Sequence, residues 1–171
     1  MMNGLMYRLN LRTNYMDWQY LKDNIYFSDG SLRDIYVLNA SRLDWQKWIN
    51  FVNDNYEINF TYCDTNGNLK QSDLILTKYV FDFWDGISEF LVDAKIIVGD
   101  IIIKCYFFTE EEIENDITPN EINSVGQHNQ IVDYMKSISG ILDKEIILTT
   151  ENYDCNYNKL IVINNDHILI N

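Results

Sequence analysis

The chain has 171 residues, and its 26 acidic against 13 basic side chains give a formal net charge of −13. A hydrophobic fraction of 47% supplies enough apolar surface for a core and excludes wholesale disorder. The acid excess argues against a general nucleic-acid binder, because phosphate neutralisation needs a basic surface, and no run of about 18 apolar residues is present to span a membrane.

One domain over residues 1–171 is the expectation at this length. The N-terminal residues Met1-Met2-Asn3-Gly4-Leu5-Met6 hold no basic region followed by an apolar stretch, so no secretory signal is read. Cys63, Cys105 and Cys155 are odd in number and far apart, which points to small buried thiols in a reducing cytoplasm rather than a disulfide framework.

Residues 5–12 alternate loosely and form a candidate first strand. Residues 24–27 and 32–38 flank Ser28-Asp29-Gly30-Ser31, a hairpin signal because glycine supplies the positive φ of a tight turn. Arg33 and Asp34 beside it are read as an internal ion pair, and the apolar residues on both faces of 34–38 suit a strand covered on both sides. The period then changes. Trp45, Trp48, Ile49 and Val52 recur at helical spacing, predicting a helix over 42–55 capped by Asn39 or Ser41.

Residues 56–63 return to strand chemistry and close at Asn66-Gly67. Residues 74–91 fit two strands around Asp85-Gly86 as well as they fit a helix. Residues 90–98 and 101–108 form the clearest hairpin, turning at Gly99-Asp100, and both Ile101-Ile102-Ile103 and Tyr106-Phe107-Phe108 read as too apolar to face water on either side. The tetrapeptide Thr118-Pro119-Asn120-Glu121 is a capping box that predicts a helix start. Gly126 is expected to break that helix, with a second piece over 128–142 whose core stripe is Ile131, Met135, Ile138 and Leu142. A strand at 145–149 and a terminal hairpin from 160–163 and 167–170 complete the chain. The sum is an α+β fold: a mainly antiparallel sheet of about seven to nine short strands with two or three helices packed on one face.

Phosphate-binding glycine loops, serine-nucleophile elbows, paired zinc-ligand cysteines and His-Glu-x-x-His are all missing from the sequence, so no catalytic residue, metal site or cofactor is assigned. His128 and His167 are read as surface histidines, and Trp45 and Trp48 as core.

The distinctive feature is the acidic run Glu110, Glu111, Glu112, Glu114 and Asp116. If residues 112–117 are extended, Glu112, Glu114 and Asp116 share one face, about 6.6 Å apart, twice the strand rise, with Ile113 and Ile117 on the other. Three readings follow: a solvated edge strand whose charges block edge-to-edge pairing, a docking ridge for a basic partner, or a divalent-metal site, which the spacing supports least. In Phe81-Asp82-Phe83-Trp84-Asp85 rings alternate with carboxylates, making Trp84 and Asp85 candidate anchors for a protein partner.

Two stretches, Ser28-Asp29-Gly30-Ser31-Leu32-Arg33-Asp34-Ile35-Tyr36-Val37 leading into Asp44-Trp45-Gln46, and Cys105-Tyr106-Phe107-Phe108-Thr109-Glu110-Glu111-Glu112-Ile113-Glu114, resemble small bacterial immunity proteins of polymorphic toxin systems. The resemblance implies a cytosolic α+β protein that binds and blocks a toxin domain, and it carries no functional residue across. The expected function is therefore an acidic binding protein for a basic partner, with Glu110, Glu111, Glu112, Glu114, Asp116, Trp84 and Asp85 as its contact residues. Two other classes remain open at this point: an enzyme or ligand-binding domain with a dispersed site, and a structural or oligomeric component.

Overall fold

The computed structural model describes residues 17–151 and 159–171; the candidate strand at 5–12 and Cys155 lie outside the described residues. Helix α1 (Trp18–Asn24) starts at Asp17, whose carboxylate accepts from the Gln19 amide. Strand β1 (Arg33–Leu38) follows, then helix α2 (Arg42–Asn55), whose start is fixed by a reciprocal capping box between Ser41 and Asp44. Next come β2 (Glu57–Cys63), β3 (Leu69–Ser72), α3 (Thr77–Trp84), β4 (Asp93–Val98), β5 (Ile101–Cys105) and β6 (Glu112–Ile117). Helix α4 (Val125–Leu142) and strands β7 (Ile146–Thr150), β8 (Lys159–Asn164) and β9 (His167–Ile170) complete the described chain.

The strands form one antiparallel sheet in the order β3-β2-β4-β5-β6-β1-β7-β8-β9. All four described helices contribute to a single core with the sheet side chains Ile35, Val37, Ile96, Ile103, Ile113 and Leu148, so these helices lie on one face, as the α+β reading expects. Trp45, Trp48, Ile49 and Val52 of α2 are fully buried there, and so are Ile131, Met135 and Ile138 of α4. Both faces of β1 are buried, from Arg33 through Val37.

Several local expectations are corrected. Residues 24–27 do not pair with β1; Asn24 ends α1, and β1 lies between β6 and β7 instead. Gly30 still turns the chain at φ 88°, but the turn follows a helix rather than a strand. The ambiguous segment 74–91 holds helix α3. Pro119–Glu121 is only a 3-10 turn without a Thr118 side-chain cap, and Glu121 accepts from the Ile102 amide at 2.8 Å instead. Helix α4 begins at the Ser124 cap and runs through Gly126 unbroken.

Arg33 is fully buried, and its partner is not Asp34, which lies on the opposite face of the strand. The guanidinium donates to the carbonyls of Ile25, Leu32 and Phe27 at 2.9, 2.8 and 2.6 Å, and pairs with Asp29 at 3.6 Å. These bonds replace the water that the charge loses on burial.

Candidate functional site

Beneath the helices the polar groups are satisfied by one another. The Trp48 indole N–H donates to the Tyr134 hydroxyl at 3.3 Å, and that hydroxyl donates to Asn115 Oδ1 at 2.8 Å. His128 is buried, not on the surface: its Nδ1 shares a hydrogen bond of 2.9 Å with the Tyr26 hydroxyl, and loss of solvent lowers its pKa to about 4. His167 is exposed at the start of β9. Cys105 is buried, and burial pushes its thiol well above the usual range.

The other face carries the acidic run. Its strand is extended as expected: Ile113, Asn115 and Ile117 face the core, and Glu112, Glu114 and Asp116 face away. It is not an edge. Among the described residues β6 is the fifth of nine strands, held by β5 on one side and β1 on the other, so blocking of edge pairing is not what these charges do.

The register sets out this face in rows. In one row Asn59, Lys95, Lys104, Asp116, Asp34 and Thr149 lie side by side across six strands. In the next, Glu114 stands beside Tyr36, and Glu112 follows beside Leu38.

The Tyr36 hydroxyl lies 3.0 Å from Glu114 Oε1 and 3.3 Å from Asp34 Oδ2, so a phenol bridges two carboxylates. Burial, then repulsion from Glu114, pushes the Asp116 carboxyl up to about 6 against the opposing pull of Lys104. Burial also raises Glu112, and Glu114 and Glu111 add to it. Among the described residues no cation pairs with Glu112, Glu114 or Asp116 within 4.0 Å.

The remaining predicted contact residues lie apart from this ridge. Arg42 at the start of α2 donates to Glu110 at 2.5 Å and to Asp85 at 2.6 Å, and its guanidinium sits 5.1 Å from the Phe81 ring centre. Trp84 donates its indole N–H to the Phe107 carbonyl at 2.7 Å and packs on Trp45, with ring centres 5.1 Å apart. Trp84 therefore covers the core, and Asp85 and Glu110 are engaged internally. Glu111 is exposed between the two groups.

The apolar run after β5 also departs from expectation. Phe107 is buried at φ 54°, a conformation that bulky residues avoid. Tyr106 and Phe108 turn outward, 36% and 60% exposed, and stack with ring centres 5.5 Å apart. Hydrophobicity alone had placed all three rings inside.

A cavity of about 340 Å³ is lined by Tyr36, Leu38, Asn39, Lys144, Glu145 and Ile147. Its charged groups are engaged: Lys144 bonds the Asn39 carbonyl and the Asp44 carboxylate at 2.5 and 3.0 Å, and Glu145 pairs with Lys159 at 2.8 Å. No group of three or more His, Cys, Asp or Glu able to hold a metal occurs among the described residues, and no helix among them is long and apolar enough to cross a membrane.

Searches against protein-family models, curated proteins and solved structures gave no match to this chain.

Proposed function

We propose that the chain is a cytosolic acidic binding protein that docks a basic protein, in the manner of an immunity protein blocking a cationic toxin domain. The observation that carries this reading is the ridge of Glu112, Glu114 and Asp116, set in the middle of the sheet on the face away from the helices. Carboxylates that are partly desolvated beside one another are costly, and a cationic partner relieves that cost on binding. The net charge of −13 steers such a partner toward the protein over distances of about a Debye length and speeds encounter. Glu110, Asp85 and Trp84 support the scaffold beside the ridge, because Arg42 and the core already hold them.

The test compares two variants of equal charge. Replacing Glu112 and Glu114 with Gln and Asp116 with Asn changes the net charge from −13 to −10, since −13 + 3 = −10. Replacing exposed Asp54, Asp73 and Asp100 with Asn gives the same total away from the ridge. In capture from native lysate and secreted fractions, a stoichiometric basic protein is expected on wild type and on the second variant, and is expected to be weakened on the first. Equal retention by both variants moves the interface elsewhere. Absence of a basic partner on wild type overturns the reading.

A further inference from the structure

We infer that the cavity over Tyr36, Leu38 and Ile147, flanked by Glu112 and Glu114, is an anchor pocket for one long cationic side chain, lysine or arginine, of the basic protein partner. This rests on the docking reading above and names the place where the partner is gripped.

The floor of the cavity is set by strand register. Tyr36 and Ile147 are cross-strand neighbours on β1 and β7, and Leu38 lies two residues beyond Tyr36, so all three point away from the helices. The volume of about 340 Å³ holds a side chain rather than a single water.

β6 supplies the charged flank. Glu112 is the cross-strand neighbour of Leu38, and Glu114 that of Tyr36, which places their Cβ atoms about 5 Å from those of the floor. Glu114 Oε1 accepts from the Tyr36 hydroxyl at 3.0 Å. Among the described residues no cation lies within 4.0 Å of either carboxylate, and Lys104 of the next strand stands opposite Asp116 instead. Burial raises the Glu112 carboxyl, and Glu114 and Glu111 raise it further.

The charges that line the cavity itself are already met. Lys144 donates to the Asn39 carbonyl and the Asp44 carboxylate, and Glu145 pairs with Lys159. The unmet charge is therefore the pair Glu112 and Glu114.

That pair selects the occupant. An anion would be repelled by it, and a neutral apolar group would strip more water from the carboxylates without replacing it. No group of three or more His, Cys, Asp or Glu able to hold a metal ion occurs among the described residues. A long cationic side chain meets both demands, laying its methylenes on Tyr36, Leu38 and Ile147 and its charge against Glu112 and Glu114.

The test varies stem length at constant charge. Two blocked glycine-spaced peptides of equal length serve as probes of the full chain at pH 7, one carrying lysines and the other diaminobutyric acid, whose stem is two methylenes shorter. Calorimetry gives the affinities, and methyl NMR shifts locate the contact. The lysine peptide is expected to bind about fivefold tighter, with the largest shifts at Leu38 and Ile147. Leu38→Trp fills the cavity without changing charge, and its thermal melt checks folding. This variant is expected to bind both peptides equally, at the affinity of the shorter stem.

Equal binding of the two peptides by wild type overturns the pocket while leaving acidic docking intact, and so do shifts that centre away from Leu38 and Ile147. A stem-length preference that survives in a folded Leu38→Trp variant overturns it as well; the wild-type shifts decide if that variant does not fold. Failure of both peptides to bind wild type overturns the pocket and the acidic docking reading together.

Discussion

Among the described residues every buried polar side chain on the helix-covered face of the sheet has a partner, while on the other face carboxylates gather around the Tyr36 hydroxyl. Arg33, a full charge with no exposure, is met by three carbonyls and Asp29. Asp116, only partly buried, is met by Glu114 and by Asp34 as its cross-strand neighbour, with Lys104 as the opposing charge. The first arrangement minimises the cost of folding; the second retains a cost that binding can relieve. That contrast separates the part of the molecule that maintains the fold from the part proposed to act.

The contrast can be broken most severely at Phe107, the residue that joins the two faces. Phe107→Ala removes a ring packed among Trp45, Trp48 and Phe60, and the expected loss is about 3–5 kcal/mol in denaturant unfolding. Tyr106 and Phe108 should lose their fixed stacking in the same variant, seen as averaged aromatic NMR shifts. A loss below about 1 kcal/mol would mean that the core closes over the vacated space and the ring contributes little.

The two faces are also expected to titrate with opposite sign. His128 has a folded pKa near 4 against 6.5 when solvated. Above about pH 6.5 the ring is neutral in both states. As pH falls toward 4 the unfolded state takes up a proton that the native state refuses, so stability is lost by up to about 3 kcal/mol. His128→Gln should flatten that acid-side slope, and an unchanged slope would assign it to other groups.

Asp116 runs the other way, with a folded pKa near 6 against 3.8 in the unfolded chain. Between these values the native state holds the extra proton, so this group's destabilising contribution is fully present above about pH 6 and relieved as pH falls. Asp116→Asn is therefore expected to stabilise the protein at pH 7 by about 1 kcal/mol, after allowance for solvent screening, and to have no effect near pH 3. The smaller size of this effect reflects a group still partly in water. A destabilised variant at pH 7 would place Asp116 in a favourable interaction and remove the electrostatic contrast between the faces.

The local features were legible in the sequence because their physics is local. The stripe from Trp45 to Val52 and the Ser41 cap determine α2, and Gly99, at φ 62°, sets the turn between β4 and β5. The alternation in residues 112–117 already separated Ile113 and Ile117 from Glu112, Glu114 and Asp116. A charged alternating strand at an edge and one in the centre read alike, however, because alternation says which face a side chain takes and nothing about the neighbouring strands.

Strand order in an antiparallel sheet depends on pairings between distant segments. β1 meets β6 and β7, not the residues beside it, and only that placement brings Tyr36 and Asp34 to Glu114. Tertiary contacts likewise decided that Glu121 would bond the Ile102 amide rather than start a helix, that His128 would be covered by Tyr26, and that Phe107 would turn inward and leave its two aromatic neighbours outside. The sequence by itself determined the periodicity of the elements and the excess of acid. Only the fold decided where the acid would be concentrated, because burial and register are properties of the whole sheet and not of any segment within it.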